Sequence, residues 1–184
     1  SMTFPDLITK DHLAVALERQ IIARYTRDAA TVLDVGCGTG ETMRWLAERR
    51  CIPQSFVGVD PLGWIAAPDC LIHQSYRDEV GTTDILIVKG DHTTITGQYD
   101  CIYTQRMLIQ LPTLDEQLAA IQRLRVLLTP NGRLVCVEPS RPGLGRLNAM
   151  RLHVGLPAIE PPAHTNYLPA LWQPHAGLLS QATF

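Results

Sequence analysis

Lysine is almost missing from this chain of 184 residues: Lys10 and Lys89 are the only two. With 16 basic against 18 acidic residues the net charge is -2, which removes the electrostatic reason to expect a nucleic-acid partner, because phosphate backbones are held by excess cation. No apolar run approaches the length of a membrane span and the N-terminus has no signal-peptide core, so neither a membrane partner nor export is expected. The cysteines, at 37, 51, 70, 101 and 136, fall without a C-x-x-C pair; an odd, dispersed set reads as reduced thiols in a cytoplasmic protein rather than a disulfide framework. Internal repeats and low-complexity tracts are absent. What is left, 46% hydrophobic and 18% charged, is the composition of one globular domain that can bury a sizeable core.

The stretch that carries most information is Thr31-Val-Leu-Asp-Val-Gly-Cys-Gly-Thr-Gly-Glu41. Val32, Leu33 and Val35 have the β-branched and aliphatic character of a buried strand, and Gly36, Gly38 and Gly40 permit a tight turn whose backbone a ligand can approach. From Glu41 to Arg50 the pattern becomes helical, with Met43, Leu46 and Ala47 on one face. Strand, glycine turn and helix start form the small-molecule crevice of open α/β sheets. A dinucleotide fingerprint would want a small residue where Glu41 stands, and an acid there would repel a pyrophosphate. No G-K-[ST] supplies a nucleotide P-loop either. Asp34 instead places a negative charge two residues before the first glycine, which suits a cationic, phosphate-free ligand.

Further strands follow. Phe56-Val-Gly-Val-Asp60-Pro61 ends in an acid at the separation expected for a carboxylate that accepts ribose hydroxyls. Ile85 to Val88 leads into Lys89-Gly90-Asp91-His92, Tyr99 to Tyr103 precedes Thr104-Gln105-Arg106, and Arg133 to Glu138 makes a fifth strand. Asp11 to Tyr25 is expected to be an amphipathic helix with Leu13, Leu17 and Ile21 aligned. Thr113-x-x-Glu116 is a capping box opening a helix with Leu118, Ile121, Leu124 and Leu128 on one stripe, which stops at Thr129-Pro-Asn-Gly132. Alternating strands and helices predict an α/β fold: a doubly wound, mostly parallel sheet with right-handed crossovers. Residues 1–184 are expected to be a single domain, with 11–138 the cofactor-binding core. From 139 to 176 prolines and glycines crowd together around one short helix near Leu144 to His153, which reads as a capping segment or lid over the carboxyl ends of the strands.

Val32 to Glu41 resembles the first motif of class I S-adenosylmethionine-dependent methyltransferases, and the likeness extends from Val32 to Glu138, where Leu124 to Glu138 is similar to the family's R-V-L-x-P-G-G-x-L stretch with Asn131 in place of the first glycine. The resemblance implies a Rossmann-like sheet and S-adenosylmethionine as cofactor, bound by Asp34, Gly36, Cys37, Gly38 and Gly40 of the loop. Asp60 would take the ribose hydroxyls, and Pro61 and Leu62 would lie against adenine. Asp91 would meet the adenine amino group, His92 would supply a backbone contact, and Tyr103, Thr104 and Gln105 would line the methionine end. The family's sheet closes with two further strands; only Gly177 to Phe184 remains for them, so the last strands are expected to be incomplete.

Gln105, Arg106, Glu138, Ser140, Arg141, Asn148, Gly155, His164 and Tyr167 also resemble a bacterial subgroup of small methyltransferases, although Gln105 stands where an acid is more usual. Arg106, Glu138 and His164 are the candidate substrate-binding or base residues, each with a plain alternative: an ion pair for Arg106, a turn cap for Glu138, a surface position for His164. No Asn/Asp-Pro-Pro-Tyr follows the fourth strand, no Pro-Cys dipeptide supplies a cytosine-attacking thiol, and no acid pair with Asp-Asn suggests a metal site. The expectation is methyl transfer to a small-molecule acceptor, at the oxygen of a hydroxyl or carboxylate on an anionic or sugar-derived compound, with no metal. A non-catalytic S-adenosylmethionine-binding module or a truncated methyltransferase fragment stays open beside it, as does a nicotinamide-dependent oxidoreductase. Oligomeric state is not set by the sequence.

Overall fold

The computed structural model describes residues 12–49, 55–61, 73–77 and 82–169. They form helix α1 (His12–Thr26), β1 (Thr31–Val35), α2 (Glu41–Glu48), β2 (Ser55–Asp60), β3 (His73–Arg77), β4 (Thr82–Lys89), β5 (Tyr99–Gln105), a 3-10 turn (Leu108–Gln110), α3 (Leu114–Val126), β6 (Leu128–Val137) and α4 (Arg141–His153). The chain divides into two compact units, residues up to 105 with 122–137, and residues 106–121 with those from 138 on.

The first unit carries a six-stranded sheet in the order β3-β4-β2-β1-β5-β6. Five strands are parallel and β3 runs antiparallel to β4, pairing His73 with Leu86 and Arg77 with Thr82. From β1 the chain moves outward through β2 to β4, then returns to lay β5 on the other side of β1. That reversal makes the carboxyl end of β1 the topological switch point, where open sheets form their ligand crevice. β3 was not foreseen in the sequence.

Alternation along the parallel strands buries Val32, Phe56, Ile85, Ile87, Cys101 and Tyr103 against Ile22 and Ala23 of α1 and Met43, Leu46 and Ala47 of α2. The α2 face is the one the sequence predicts. In α1 it is not: Leu13 and Leu17 are exposed, and Ile22, Ala23 and Thr26, at the C-terminal end, are buried. An aligned apolar stripe there did not identify the packed face, because only the last turns are buried. α3 shows a similar shift. Its capping box forms as expected, Thr113 N–H and hydroxyl donating to Glu116 Oε2 at 2.9 and 2.8 Å, with Glu116 N–H returned to Thr113 Oγ1 at 3.2 Å. Yet Leu118 is exposed and the buried positions are Gln117, Ala120, Ile121 and Leu124. Gln117 is tolerated inside because its amide donates to Leu108 O and Asn166 O at 3.1 and 2.7 Å.

Leu128 belongs to β6, and Thr129-Pro-Asn-Gly132 is not a separating turn but an extra loop within that strand: Tyr99 pairs with Leu128 while Cys101 already pairs with Arg133. Gly132 is required there, since a Cβ would lie 2.8 Å from Tyr99 O. The short helix is longer than expected, starting at Arg141 with Ser140 as N-cap accepting from Gly143 N–H at 3.2 Å. Leu62, Cys51, Cys70 and the segment 177–184, on which expectations rested, lie outside the described residues.

Asp100 fixes the other end of the sheet. Its Oδ2 accepts from Ala30 N–H, Thr31 N–H and the Thr31 hydroxyl at 3.1, 3.0 and 3.1 Å, and its Oδ1 accepts from the Thr129 hydroxyl at 3.0 Å. These bonds, the Thr31 N–H first, hold its carboxyl below the usual range. Asp100→Ala should lower stability by about 1.5 kcal/mol at neutral pH. Because the folded-state value is depressed, that contribution is present above the ordinary carboxylate range and fades as pH falls; urea titrations of both proteins at pH 7 and pH 3 test this, with a variant penalty of equal size at both pH values counting against it.

Candidate functional site

At the switch point β1 ends in the glycine turn. Gly36, Gly38 and Gly40 all adopt left-handed backbone, with φ of 79°, 54° and 78°. Gly36 N–H and Cys37 N–H both donate to Val59 O, at 2.8 and 3.2 Å, so the turn is tied to the carboxyl end of β2. Gly40 precedes α2 and is tightly enclosed: a Cβ there would sit 2.7 Å from Ile87 Cδ1. Gly38 is the opposite case, with open space where a Cβ would point. Cys37 packs downward, close enough to Gly58 that a Cβ on that glycine would meet its sulfur at 2.8 Å.

Asp60, 6% exposed, closes the loop from β2: its Oδ2 accepts Gly38 N–H at 2.9 Å. Pro61 follows it at the surface. The next strand end joins the same rim, as Gly90 N–H donates to Asp60 O at 3.1 Å. Beyond it Asp91 shapes its own turn, Oδ1 accepting from Thr93 N–H, the Thr93 hydroxyl and Thr94 N–H at 2.8, 2.5 and 3.2 Å. The Thr93 hydroxyl, then its N–H, lower the Asp91 pKa, and the charge of His92 beside it adds a smaller pull. His92 is half-buried in that turn.

Asp34 does not point its charge into the open. It is 3% exposed and accepts the Tyr103 hydroxyl at 2.7 Å, the two residues lying opposite each other in the β1–β5 register. Burial pushes its pKa up to about 7; the Tyr103 bond opposes the rise and the Asp60 charge adds to it. Burial likewise drives the Tyr103 phenol well above its ordinary value. This pair was missed in the sequence, although two strands that each place a polar residue on an otherwise apolar face are the signal that could have found it.

At the end of β5, Thr104 is fully buried and its hydroxyl has no hydrogen-bond partner among the described residues. Gln105 is held on both sides: its Nε2 donates to Glu18 Oε2 of α1 at 2.8 Å and its Oε1 accepts the Thr42 hydroxyl of α2 at 2.8 Å. Arg19 extends the set, Nε to Thr42 Oγ1 and Nη2 to Glu41 Oε2, each at 3.2 Å. Glu41, in the place a dinucleotide loop gives to a small residue, is thus a partner for α1. The roles of Glu18 and Arg19 were not foreseen, since polar residues on a surface helix carry no mark of what they reach.

The three remaining candidates lie in the second unit. Arg106 has a left-handed backbone, φ 57°, which in a non-glycine residue costs about 1–3 kcal/mol. Glu138 Oε1 accepts Met107 N–H and Leu108 N–H, both at 3.1 Å, so it caps the 3-10 turn that follows β5, not a turn after itself. His164 is exposed in the turn closed by Thr165 N–H to Pro162 O at 3.0 Å. Among the described residues no group of three or more His, Cys, Asp or Glu could hold a metal ion, and no helix is long and apolar enough to cross a membrane. Cys37, Cys101 and Cys136 form no disulfide, and burial raises the Cys101 thiol to about 12.

This mostly parallel sheet, with a glycine turn and an acid at its switch point, defines a Rossmann-like fold. Residues 10–171 match the methyltransferase-domain family, and the chain belongs to it. Malonyl-[acyl-carrier protein] O-methyltransferase of Magnetococcus marinus is 27% identical over 128 residues, 69% of this chain and 44% of its own length, so the chain spans less than half of that curated relative. Two solved structures share the fold. The N-methyltransferase NodS from Bradyrhizobium japonicum, in complex with S-adenosylhomocysteine, is 18% identical with a TM-score of 0.56, covering 81% of this chain and 70% of that one. Magnesium protoporphyrin IX methyltransferase from Synechocystis, also with bound S-adenosylhomocysteine, is 20% identical with a TM-score of 0.56, covering 92% and 73%.

A folded carboxyl at about 7 against 3.8 for an unperturbed one means that the native chain binds this proton more tightly between about pH 4 and 7, so Asp34's contribution to stability is lost as pH rises through that window. Asp34→Asn keeps an oxygen for Tyr103 and never ionises. Its melting temperature should match wild type below about pH 4 and exceed it at pH 8; equal melting temperatures at pH 8 would show that the carboxylate ionises without cost.

Proposed function

We propose that this chain binds S-adenosylmethionine at the β1 switch point and transfers its methyl group to a small-molecule acceptor, at oxygen. The observation that carries the reading is the glycine turn held by Asp60, with open space over Gly38. The residues present fit the cofactor. Gly38 leaves room for close approach, Asp60 would accept from the ribose hydroxyls, and the orphaned Thr104 hydroxyl would offer a hydrogen bond at the end of β5. The loop holds no lysine or arginine for a pyrophosphate, and Glu41 is turned to Arg19, which speaks against a nicotinamide dinucleotide. Asp34, Gly36, Cys37, Gly40, Pro61, Leu62, Asp91, His92 and Gln105 complete the proposed cofactor site. The relatives cited above include both an O- and an N-methyltransferase, so the choice of oxygen rests on this chain's own residues. Cysteines without a disulfide among the described residues fit a reducing compartment, the cytoplasm.

The bound cofactor would supply a methyl group already activated on a sulfonium. The task left to the chain is positioning, which can remove about 7–11 kcal/mol of barrier. The glycine turn and Asp60 fix the nucleoside end, while Arg106 is proposed to orient an anionic acceptor. A hydroxyl acceptor must also lose its proton, which a base such as His164 or Glu138 would take for a gain of roughly 10²–10⁴-fold; a carboxylate acceptor attacks as it is.

Calorimetric titration of S-adenosylmethionine and S-adenosylhomocysteine, with NADH as control, tests this on wild type and Asp60→Asn. The amide keeps an acceptor for Gly38 N–H but lacks the charge. Micromolar binding, about 8 kcal/mol, that the substitution weakens with little change in melting temperature is the expected result; preference for NADH, or no binding of either sulfur compound, would overturn it. Arg106→Ala should leave that binding intact and raise the acceptor concentration needed for turnover. Binding with no turnover on any acceptor would make the chain a binding module.

A further inference from the structure

The switch point holds more negative charge than the described residues balance. Asp34 on β1 and Asp60 on the neighbouring β2 are both buried, and the glycine turn that follows β1 carries no lysine or arginine. The two acids are held differently. Asp60 Oδ2 accepts Gly38 N–H at 2.9 Å. Asp34 Oδ2 accepts the Tyr103 hydroxyl at 2.7 Å, and Asp34 makes no other hydrogen bond or ion pair among the described residues. A carboxylate can accept at about four lone-pair positions, so a buried one with a single donor is poorly compensated.

The groups packed around Asp34 supply no cation. Its titratable neighbours are Tyr103 and Cys101 on β5, Cys37 on the turn and Asp60 on β2. From α1 and α2 the same face of the sheet receives Ile22, Ala23, Met43, Leu46 and Ala47. The ionic groups of those helices that reach the end of β5, Glu18, Arg19 and Glu41, are engaged with Gln105, Thr42 and one another. Burial, opposed by the Tyr103 bond and aided by the Asp60 charge, pushes the Asp34 pKa up to about 7, so near neutrality a proton takes the place of the missing cation. With Tyr103 donating to Oδ2, that proton belongs on Oδ1.

We propose that Asp34 sets the preference for cationic S-adenosylmethionine over S-adenosylhomocysteine by giving up its proton when the cationic ligand binds. The inference rests on the methyl-transfer reading and adds to it the residue that tells cofactor from product. Strand order gives the direction. With adenine proposed at Asp91 after β4 and ribose at Asp60 after β2, the order β4-β2-β1-β5 leaves β1 and β5, hence Asp34 and Tyr103, for the methionine end. That end carries a sulfonium before transfer and a neutral thioether after it, with the same ammonium and carboxylate in both. A positive charge within about 4–6 Å favours an ionised carboxyl. In the exchange Asp34 Oδ1 releases its proton to solvent, while Tyr103 keeps its own and goes on donating to Oδ2. Once the sulfonium charge is gone the proton returns, and the hold on the product weakens.

Calorimetry on the full chain, as wild type, Asp34→Asn and Tyr103→Phe, gives the affinity of each sulfur compound between pH 5.5 and pH 7. At pH 6.5 the heats are compared in phosphate and imidazole, whose different ionisation enthalpies count the protons released. In wild type the affinity for S-adenosylmethionine should rise about tenfold over that range and that for S-adenosylhomocysteine about threefold or less, with more than about half a proton released per S-adenosylmethionine bound. Asp34→Asn should show neither the rise nor the release, and at pH 7 its affinity for S-adenosylmethionine should fall toward the wild-type value at pH 5.5. Tyr103→Phe removes the bond that opposes the upward shift, so the midpoint of the rise should move to higher pH, which a change in packing alone would not do. The same pH dependence for both compounds in wild type, or a rise that persists in folded Asp34→Asn, would overturn the proposal while their binding keeps the cofactor reading. Should neither variant fold, the wild-type proton count decides, and no release, or equal release with both compounds, overturns it. Failure of both compounds to bind wild type would remove the cofactor reading and this proposal with it.

Discussion

The turn of left-handed glycines closes on itself only through Gly40 N–H, which donates to Cys37 O at 2.9 Å; the N–H groups of Gly36, Cys37 and Gly38 need acceptors from elsewhere. Here β2 supplies them: Val59 O takes the amides of Gly36 and Cys37, and Asp60 Oδ2 takes that of Gly38. The register of β1 with β2, Val35 opposite Val59, is what brings those acceptors to the turn. Every other feature of the proposed cofactor site hangs on that pairing. Gly90 reaches the rim through Asp60 O, and α2 starts where Gly40 is enclosed by Ile87 and Met43. Asp60 is therefore both a structural acceptor and a proposed ligand contact, and the amide variant is informative because it separates the two roles.

Behind the turn, two polar groups of contacts make the inner face of the sheet unlike an ordinary apolar core. Asp34 and Tyr103 share a proton donor and an acceptor across β1 and β5, and Gln105 joins α1 to α2. An unpaired buried polar group costs about 1–3 kcal/mol, so each of these side chains stabilises the fold only while its partner is in place. The arrangement makes α1 part of the site's support: Glu18 and Arg19 reach Gln105, Thr42 and Glu41, whereas the exposed Leu13 and Leu17 take no share in the core.

Much of this was legible in the sequence. Strands at Val32, Phe56, Ile85, Tyr99 and Arg133, the helix after the glycine turn and the Thr113 capping box each carry a local physical mark: an apolar run, a glycine set, a reciprocal hydrogen-bond pair. The failures have separate causes. The stripes assigned to Leu13 and Leu118 assumed that an aligned apolar row is the buried row, but burial was decided by which turns other elements cover, and a glutamine with two main-chain acceptors displaced a leucine. His73–Arg77 pairs through its backbone in a short segment with no apolar alternation, so nothing in its residues announces a strand. Asp34 read as a negative charge for a cationic ligand because its spacing from the glycines was visible and its register with Tyr103 was not.

Methyl transfer from a sulfonium needs little from a protein beyond alignment, so one kind of cofactor end can serve many acceptors, and acceptor choice has to be made by residues outside it. Glu138 is poorly placed to serve as a proton acceptor with its Oε1, which already takes two main-chain amides. His164 is exposed in a turn, where no neighbouring group orients its ring for proton transfer among the described contacts. On the proposed reading, these two residues suit an acceptor that arrives as a carboxylate. Such an oxygen is already ionised at neutral pH and attacks the methyl carbon without a base, so the chemistry would ask of the second unit only that it bind and orient.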